Sequence, residues 1–306
     1  MTARVTLRKR RRGIRQPWSD YVFDGISALL LVVAGLLVAY PLIYVVSSSL
    51  SSTSAVMGGR VWLYPVEPSL TAYKAVFENR QITTGYINSF VYTALGTILT
   101  LVVTMLSGFC LSRKDFFGRG AFSALLVFTM FFSGGLIPSY LLVRDLHMLN
   151  TIWVMVLPGA VSAWFIMLTR TYIKSSIPDE LFESANLDGC TVYGMLAHIA
   201  LPLSGSIIAV VGLYSAVGIW NGYFDAFIYL SDKKLYPLQV VLRNILILNQ
   251  MDVAAVQDLR DLATRQGMSN LLKYAIIVVS SAPLLVLYPF VQKYFVKGVM
   301  IGSLKG

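Results

Sequence analysis

Charge is scarce in this chain. Only 13% of its 306 residues are Asp, Glu, Lys or Arg, about half the share of a soluble globular domain. With 56% apolar residues and a mean hydropathy of +0.68, too little polar surface is left to solvate a compact fold. An ordinary soluble enzyme and a disordered chain are both excluded. Cysteine is scarce too: Cys110 and Cys190 lie far apart with no CxxC spacing, which excludes a disulfide scaffold and argues against a thiolate metal site. The two histidines, His147 and His198, are isolated and no HExxH occurs. No GxxxxGK[ST] is present, so the chain has no loop to cradle phosphates and is not expected to bind ATP itself. Gly118-Arg119-Gly120 lacks the third glycine of a dinucleotide fingerprint, and no GxSxG exists. No catalytic set, metal site or bound cofactor is expected of this polypeptide.

What the chain has is long apolar runs. A helix needs about 20 apolar residues to cross the hydrocarbon core, and six stretches qualify: 24–46, 86–111, 121–143, 151–173, 205–230 and 274–294. The expectation is an all-α membrane protein with six transmembrane helices in one domain over residues 24–296. Asn150 and Thr151 are predicted to cap the fourth helix, and Ser269 or Asn270 the sixth. Pro41, Pro138, Pro158 and Pro289 fall inside spans or near their ends, where neighbouring helices can take up freed backbone groups. Apart from Asp24, which opens the first span, Asp225, near one end of the fifth, is the one acid within them. Proton coupling usually relies on ionisable groups near the midplane, so a six-span secondary carrier or channel is the weaker, though different-class, alternative.

The net charge of +10 is distributed unevenly. A basic segment, 1–23, carries Arg4, Arg8, Lys9, Arg10, Arg11, Arg12 and Arg15. The turn between the second and third spans adds Arg113, Lys114 and Arg119, the fourth–fifth connection Arg170 and Lys174, and the C-terminal end Lys293, Lys297 and Lys305. The opposite side has Arg60, Lys74, Arg80 and Arg144 in its shorter loops. Positive-inside reasoning places both termini in the cytoplasm. A basic stretch before an apolar run, with small residues at Ser47–Ser49, also resembles a secretory signal. The run is too long for a signal h-region, so an uncleaved first span is predicted. On such a protein the arginine cluster fits topology and anionic lipid rather than nucleic acid.

The connection 175–202 is polar and acidic. Ser176-Ile177-Pro178-Asp179 reads as a helix start, with a Ser cap, a Pro in the first turn and an acid favoured by the helix dipole. Leu181, Phe182 and Ala185 follow at helical spacing, Glu180 and Glu183 lie between them, and Gly189 is suited to a left-handed stop. A second short helix is predicted from Thr191 to Pro202. A helix lying on an anionic membrane surface would carry a basic polar face; this acidic knob with an apolar patch fits a docking site on another protein better.

Here the residues resemble a known pattern. Glu183-Ser184-Ala185, three residues, Gly189, nine residues, then Ile199-Ala200-Leu201-Pro202 is similar to the EAA loop of the permeases of ATP-binding-cassette (ABC) importers, with Ser184 for the usual Ala as the one departure. The 131–138 stretch Phe-Phe-Ser-Gly-Gly-Leu-Ile-Pro, the 235–239 stretch Leu-Tyr-Pro-Leu-Gln and the Gly-rich end 297–306 are similar to the oligosaccharide branch. The resemblance implies a type I permease fold in a bacterial plasma membrane and a coupling helix carried by Glu183, Ser184, Ala185, Gly189, Leu201 and Pro202. It also implies two cytoplasmic ATPase subunits that bind ATP and Mg, a second permease subunit and an extracytoplasmic solute-binding lipoprotein. The solute it implies is an oligosaccharide; a peptide or polyol derivative is the alternative.

For the solute path, Asn88, Tyr140, Trp220, Asn221, Tyr223 and Asp225 are candidates, because aromatic faces stack on sugar rings while amides and carboxylates pair with hydroxyls. Trp and Tyr also gather at membrane interfaces for amphipathic reasons. Gly212/Ala216 and Gly218/Gly222 are small residues four apart, suited to close helix packing within the chain or against the second permease. The long outer loop, 231–273, has amphipathic segments at 238–248 and 253–262, which either cap the spans or reach the binding protein.

Overall fold

The computed structural model describes residues 18–252 and 259–303. The basic cluster Arg4–Arg15, part of the second amphipathic segment (253–258) and the last residues of the Gly-rich end (304–306) lie outside them.

The described residues form helices joined by turns. The first, α1 (Trp18–Ser49), is the predicted first span extended at both ends. Its last turn is not a free cleavage-site strand. Ser48 and Ser49 are fully buried, and Ser49 Oγ lies 2.8 Å from Tyr73 OH beneath the loop that follows. That loop contains α2 (Thr53–Met57) and α3 (Thr71–Glu78). α4 (Arg80–Ser112) starts where Asn79 Oδ1 accepts from the Gln81 and Ile82 N–H groups, and runs 33 residues without interruption.

The predicted third, fourth and fifth spans are not single helices. The third is split into α5 (Arg119–Phe131) and α6 (Leu136–Asp145), bent by 114°. The hinge is Gly134-Gly135, with Gly135 at φ +83°, a conformation that an L side chain resists. The fourth is split into α7 (Trp153–Val156) and α8 (Ala163–Ser176) around Pro158-Gly159. The fifth is preceded by α10 (Val192–Leu203), which meets α11 (Gly205–Asn221) at 79°, and it breaks again before α12 (Phe224–Tyr229). α13 (Leu238–Asp252) follows. α14 (Leu259–Ser303) contains the predicted sixth span and continues into the Gly-rich end. Among the described residues, three helices are long and apolar enough to cross a membrane, and five if each bent pair counts as one span.

Two predicted caps are corrected. Ser269 and Asn270 lie inside α14, not at its start. Asn150 does not cap the fourth helix: it sits at φ +57°, and its Oδ1 accepts from the Ser231 and Asp232 N–H groups (3.1 and 2.8 Å), latching the turn after α6 to the end of α12. Thr151 Oγ1 donates to Met148 O instead.

α4 is the centre of the packing. α8 and α11 lie along it, and α13 crosses its first turns. Close approach is bought by glycines: a Cβ on Gly108 would stand 2.7 Å from Thr169 Cγ2 and 3.2 Å from the Arg170 backbone N. A Cβ on Gly85 would stand 3.2 Å from Leu238 Cα.

Candidate functional site

The acidic connection is built from the core outward. α8 runs through Ser176, so Ser176 closes one helix rather than opening the next. Ile177 is buried, and Pro178, at φ −61°, turns the chain into α9 (Asp179–Leu187) as its N-cap. No side chain caps α9; Asp179 and Glu180 occupy its first turn, where the helix dipole favours negative charge.

One face of α9 is anchored. Phe182 is 3% exposed and packs with Met105, Phe109, Ile173, Ile177 and Met195, its ring 5.9 Å from that of Phe109. Ala185 lies half-buried on the same cluster. The Arg113 guanidinium sits over the Phe182 ring at 4.7 Å. Lys114 Nζ meets Asp179 Oδ2 at 2.6 Å. The Lys114 hydrogen bond holds the Asp179 carboxyl below its ordinary value. The same bond and the Asp179 charge raise Lys114, with Glu183 and Glu180 adding to the effect.

The stop is as predicted. Gly189 takes φ +76°; its N–H donates to Asn186 O (3.1 Å) and that of Cys190 to Ala185 O (2.9 Å), the two bonds of a Schellman motif. Thr191 then caps α10, its Oγ1 accepting from Gly194 N–H at 3.2 Å. α10 contains a π turn, Leu196–Ala200, and includes Leu201 and Pro202, both exposed. Ser184 Oγ satisfies itself on Leu181 O (3.1 Å), so serine in place of alanine leaves no orphan donor. Facing away from the core are Glu180, Glu183, Asp188, Leu187 (89% exposed) and Tyr193 (81% exposed). The result is a rigidly backed helix that presents acids around apolar side chains.

The six path candidates divide. Trp220 is buried, its Nε1 donating to Ser280 O at 3.0 Å and its ring edge-on to Tyr86 and Phe90. Asn88 Nδ2 donates to Lys234 O (2.7 Å) and Tyr236 O (3.1 Å). Both side chains are held by backbone carbonyls of distant segments. Asn221, Tyr223 and Asp225 are exposed around the break between α11 and α12. Tyr140 stacks on Tyr229 of α12 at 6.0 Å, and Asp225 lies one turn before Tyr229. Tyr140 and Asp225 thus share Tyr229 as a neighbour, and Asn221 and Tyr223 flank the adjoining break in the chain.

Arg113 and Lys114, which the sequence offers only as topology charges, are direct partners of α9. Their position immediately after a long apolar helix, facing an acidic connection, is the signal that could have shown this.

No family model matches the chain. It is 36% identical over 286 residues to the polygalacturonan/rhamnogalacturonan transport system permease protein YtcP of Bacillus subtilis (strain 168), covering 93% of this chain and 99% of that one. It superposes with a TM-score of 0.84 and 34% identity on a chain of a bacterial ABC transporter involved in the import of the acidic polysaccharide alginate, over 92% of this chain and 99% of that one. A second chain, from a bacterial alginate ABC transporter in complex with an alginate pentasaccharide-bound periplasmic protein, shares the fold at 16% identity, with a TM-score of 0.50 and 90% and 95% coverage. On this full-length similarity, and with an EAA-type loop formed as a backed helix, the chain belongs to the permeases of ABC importers, in the branch that includes the polygalacturonan and alginate transporters.

Proposed function

We propose that this chain is one of two permease subunits of an oligosaccharide importer in the bacterial plasma membrane. The bent and broken apolar stretches supply six spans, and both termini lie in the cytoplasm. The observation that carries the reading is α9: fastened to the core through Phe182, Arg113 and Lys114, it leaves an acidic and apolar outer face that none of the described residues covers.

In this reading Glu183, Ser184, Ala185, Gly189, Leu201 and Pro202 form the contact seated in a separate ATPase subunit, which holds ATP and Mg. Closure of an ATPase dimer moves two such helices, one on each permease, and opens the outer side of the cavity, an alternating-access change between two states. An extracytoplasmic binding protein delivers the sugar, a proposal supported by the relative solved with its pentasaccharide-bound periplasmic protein. Solute passes Tyr140, Asn221, Tyr223 and Asp225, whose aromatic, amide and carboxylate groups suit sugar rings and hydroxyls.

The test is uptake by proteoliposomes holding the complete importer. Glu183→Lys and Gly189→Pro are expected to insert normally, to retain ATP hydrolysis, and to lower uptake by at least about tenfold, equivalent to about 1.4 kcal/mol at the docking contact. Uptake at the parent rate in both variants would overturn the assignment.

A further inference from the structure

We infer that α4 is a strut joining the coupling helix to the outer loop, with Asn88, Ser89 and Tyr92 as the positioning residues at its outer end; this rests on the coupling reading of α9. Two clusters of contacts lie at opposite ends of one helix. At the inner end, Phe109 packs on Phe182, and the next residues after the helix, Arg113 and Lys114, grip Phe182 and Asp179 of α9. That end is itself fixed: Arg170 Nε donates to Leu111 O (3.1 Å) and Arg119 Nη1 to Arg113 O (3.2 Å).

At the outer end the bonds run to the backbone of the loop after α12. Asn88 Nδ2 reaches Lys234 O and Tyr236 O, Tyr92 OH donates to Leu235 O at 2.9 Å, and Leu238 N–H donates to Ser89 Oγ at 2.8 Å. Ser89 and Tyr92 are buried there, and Gly85 lets the start of α13 lie directly on the helix. Every loop residue from Lys234 to Leu238 except Pro237 is thus bonded to three side chains within two turns of α4.

Between the two ends the helix is stiff. Asn88 and Arg113 are separated by about 37 Å of α-helix at 1.5 Å per residue. Of the membrane-capable stretches among the described residues, α4 alone has neither a proline nor a break: α1 holds Pro41, α14 holds Pro283 and Pro289, and the others are bent or split. A hinge absorbs displacement, whereas a continuous helix passes it on. Movement of α9 therefore shifts the 234–238 segment without any change in α4 itself, and the outer loop reports the nucleotide state of an ATPase on the far side of the membrane.

The experiment uses the complete importer in proteoliposomes, with Lys233→Cys, at an exposed loop position, as the site for a membrane-impermeant maleimide. A parallel preparation carries Leu187→Cys for crosslinking to the ATPase. Trapping with ATP and vanadate is expected to change the labelling rate at position 233. Asn88→Ala/Ser89→Ala/Tyr92→Phe is expected to lose that change while keeping the crosslink from position 187 and hydrolysing ATP, so that hydrolysis and uptake separate. Tyr92→Phe alone, which removes one hydroxyl and no volume, is expected to lose part of it. A nucleotide-dependent change at position 233 that is as large in both variants as in the parent would overturn the strut, as would its absence from the parent when the position-187 crosslink forms. Failure of that crosslink in the parent would instead overturn the coupling reading beneath it.

Discussion

Gly189 shows how one residue type sets the shape of the proposed coupling loop. Nothing lies within 4 Å of where its Cβ would stand, so space is not the constraint; the constraint is φ +76°. A left-handed conformation costs an L residue roughly 1–2 kcal/mol, and less for Asn, whose side chain bonds locally. Gly189→Val is therefore expected to loosen α9 and lower the ratio of uptake to ATP hydrolysis, and Gly189→Asn to lower it less. Equal effects, or a larger loss with Asn than with Val, would show that the backbone is not what matters. This residue was readable in advance, because a glycine after an amphipathic turn has a single backbone explanation. Asn150 was not. The same dihedral region is open to Asn, but its side chain works on Ser231 and Asp232, far away in the chain, and no local pattern shows that. The backbone bonds of Asn88 and Trp220 were unreadable for a related reason: an amide or indole in an apolar helix looks the same in sequence whether it meets a solute or a distant carbonyl.

At the scale of elements, the link between α9 and the turn after α4 has a defined electrostatic part. The Asp179 carboxyl is held below its ordinary value by Lys114. Its contribution is therefore fully present above the ordinary carboxylate range, near pH 4, and is lost only as pH falls through the lower folded value. Coupling is expected to be insensitive to this group between pH 6 and 8 (about two units above that range). Lys114→Glu should weaken coupling by placing a like charge against Asp179, and Asp179→Lys added to it should recover part of the loss. The recovery is partial because a lysine at the start of α9 opposes the helix dipole. A double-mutant cycle on uptake measures the interaction, and strict additivity would mean that the two residues do not act together.

Glycines in the helices separate by what stands beside them. Gly108→Ala is expected to lower thermal stability in detergent. The new Cβ meets Thr169 and the Arg170 backbone, an overpacking cost of about 1–3 kcal/mol that outweighs the roughly 1 kcal/mol gained in helix propensity. Gly218, with nothing within 4 Å, should gain stability on the same substitution in the isolated chain. Gly212 lies against Leu101 of its own α4, so close packing there is internal. The apolar runs that became α1, α4 and α14 were legible because hydropathy suffices for an unbroken helix. The breaks at Gly134-Gly135, Pro158-Gly159 and Gly222-Tyr223 were missed because an average over apolar residues does not register whether the helix is continuous.

For the whole molecule, the number of spans and the side of each terminus are one question: an even number puts both ends on the same side. Three continuous helices and two bent pairs make five. The remaining stretch, from Trp153 to Ser176, is as long as a span but is divided by 157–162, and its continuous part, α8, measures about 21 Å against a hydrocarbon core of about 30 Å. Lipid does not tolerate irregular backbone at that depth unless protein or a water-filled cavity covers it. Here protein does so in part, because Val154, Val156 and Ala160 are buried and α7 lies against α4. On the proposed topology the broken stretch is a sixth crossing, which returns the chain to its starting side and leaves α9, with its acids, among the basic turns that positive-inside reasoning assigns to the cytoplasm. Single cysteines in a Cys110→Ala/Cys190→Ala background test this directly with an impermeant maleimide on intact cells. Asn150→Cys, after α6, should label from outside. Leu187→Cys on α9 and Phe117→Cys in the turn before α5 should label only after permeabilisation. If position 187 were labelled in intact cells while position 117 stayed protected, the 153–176 stretch would not cross, and α9 would lie on the wrong side to meet any ATPase.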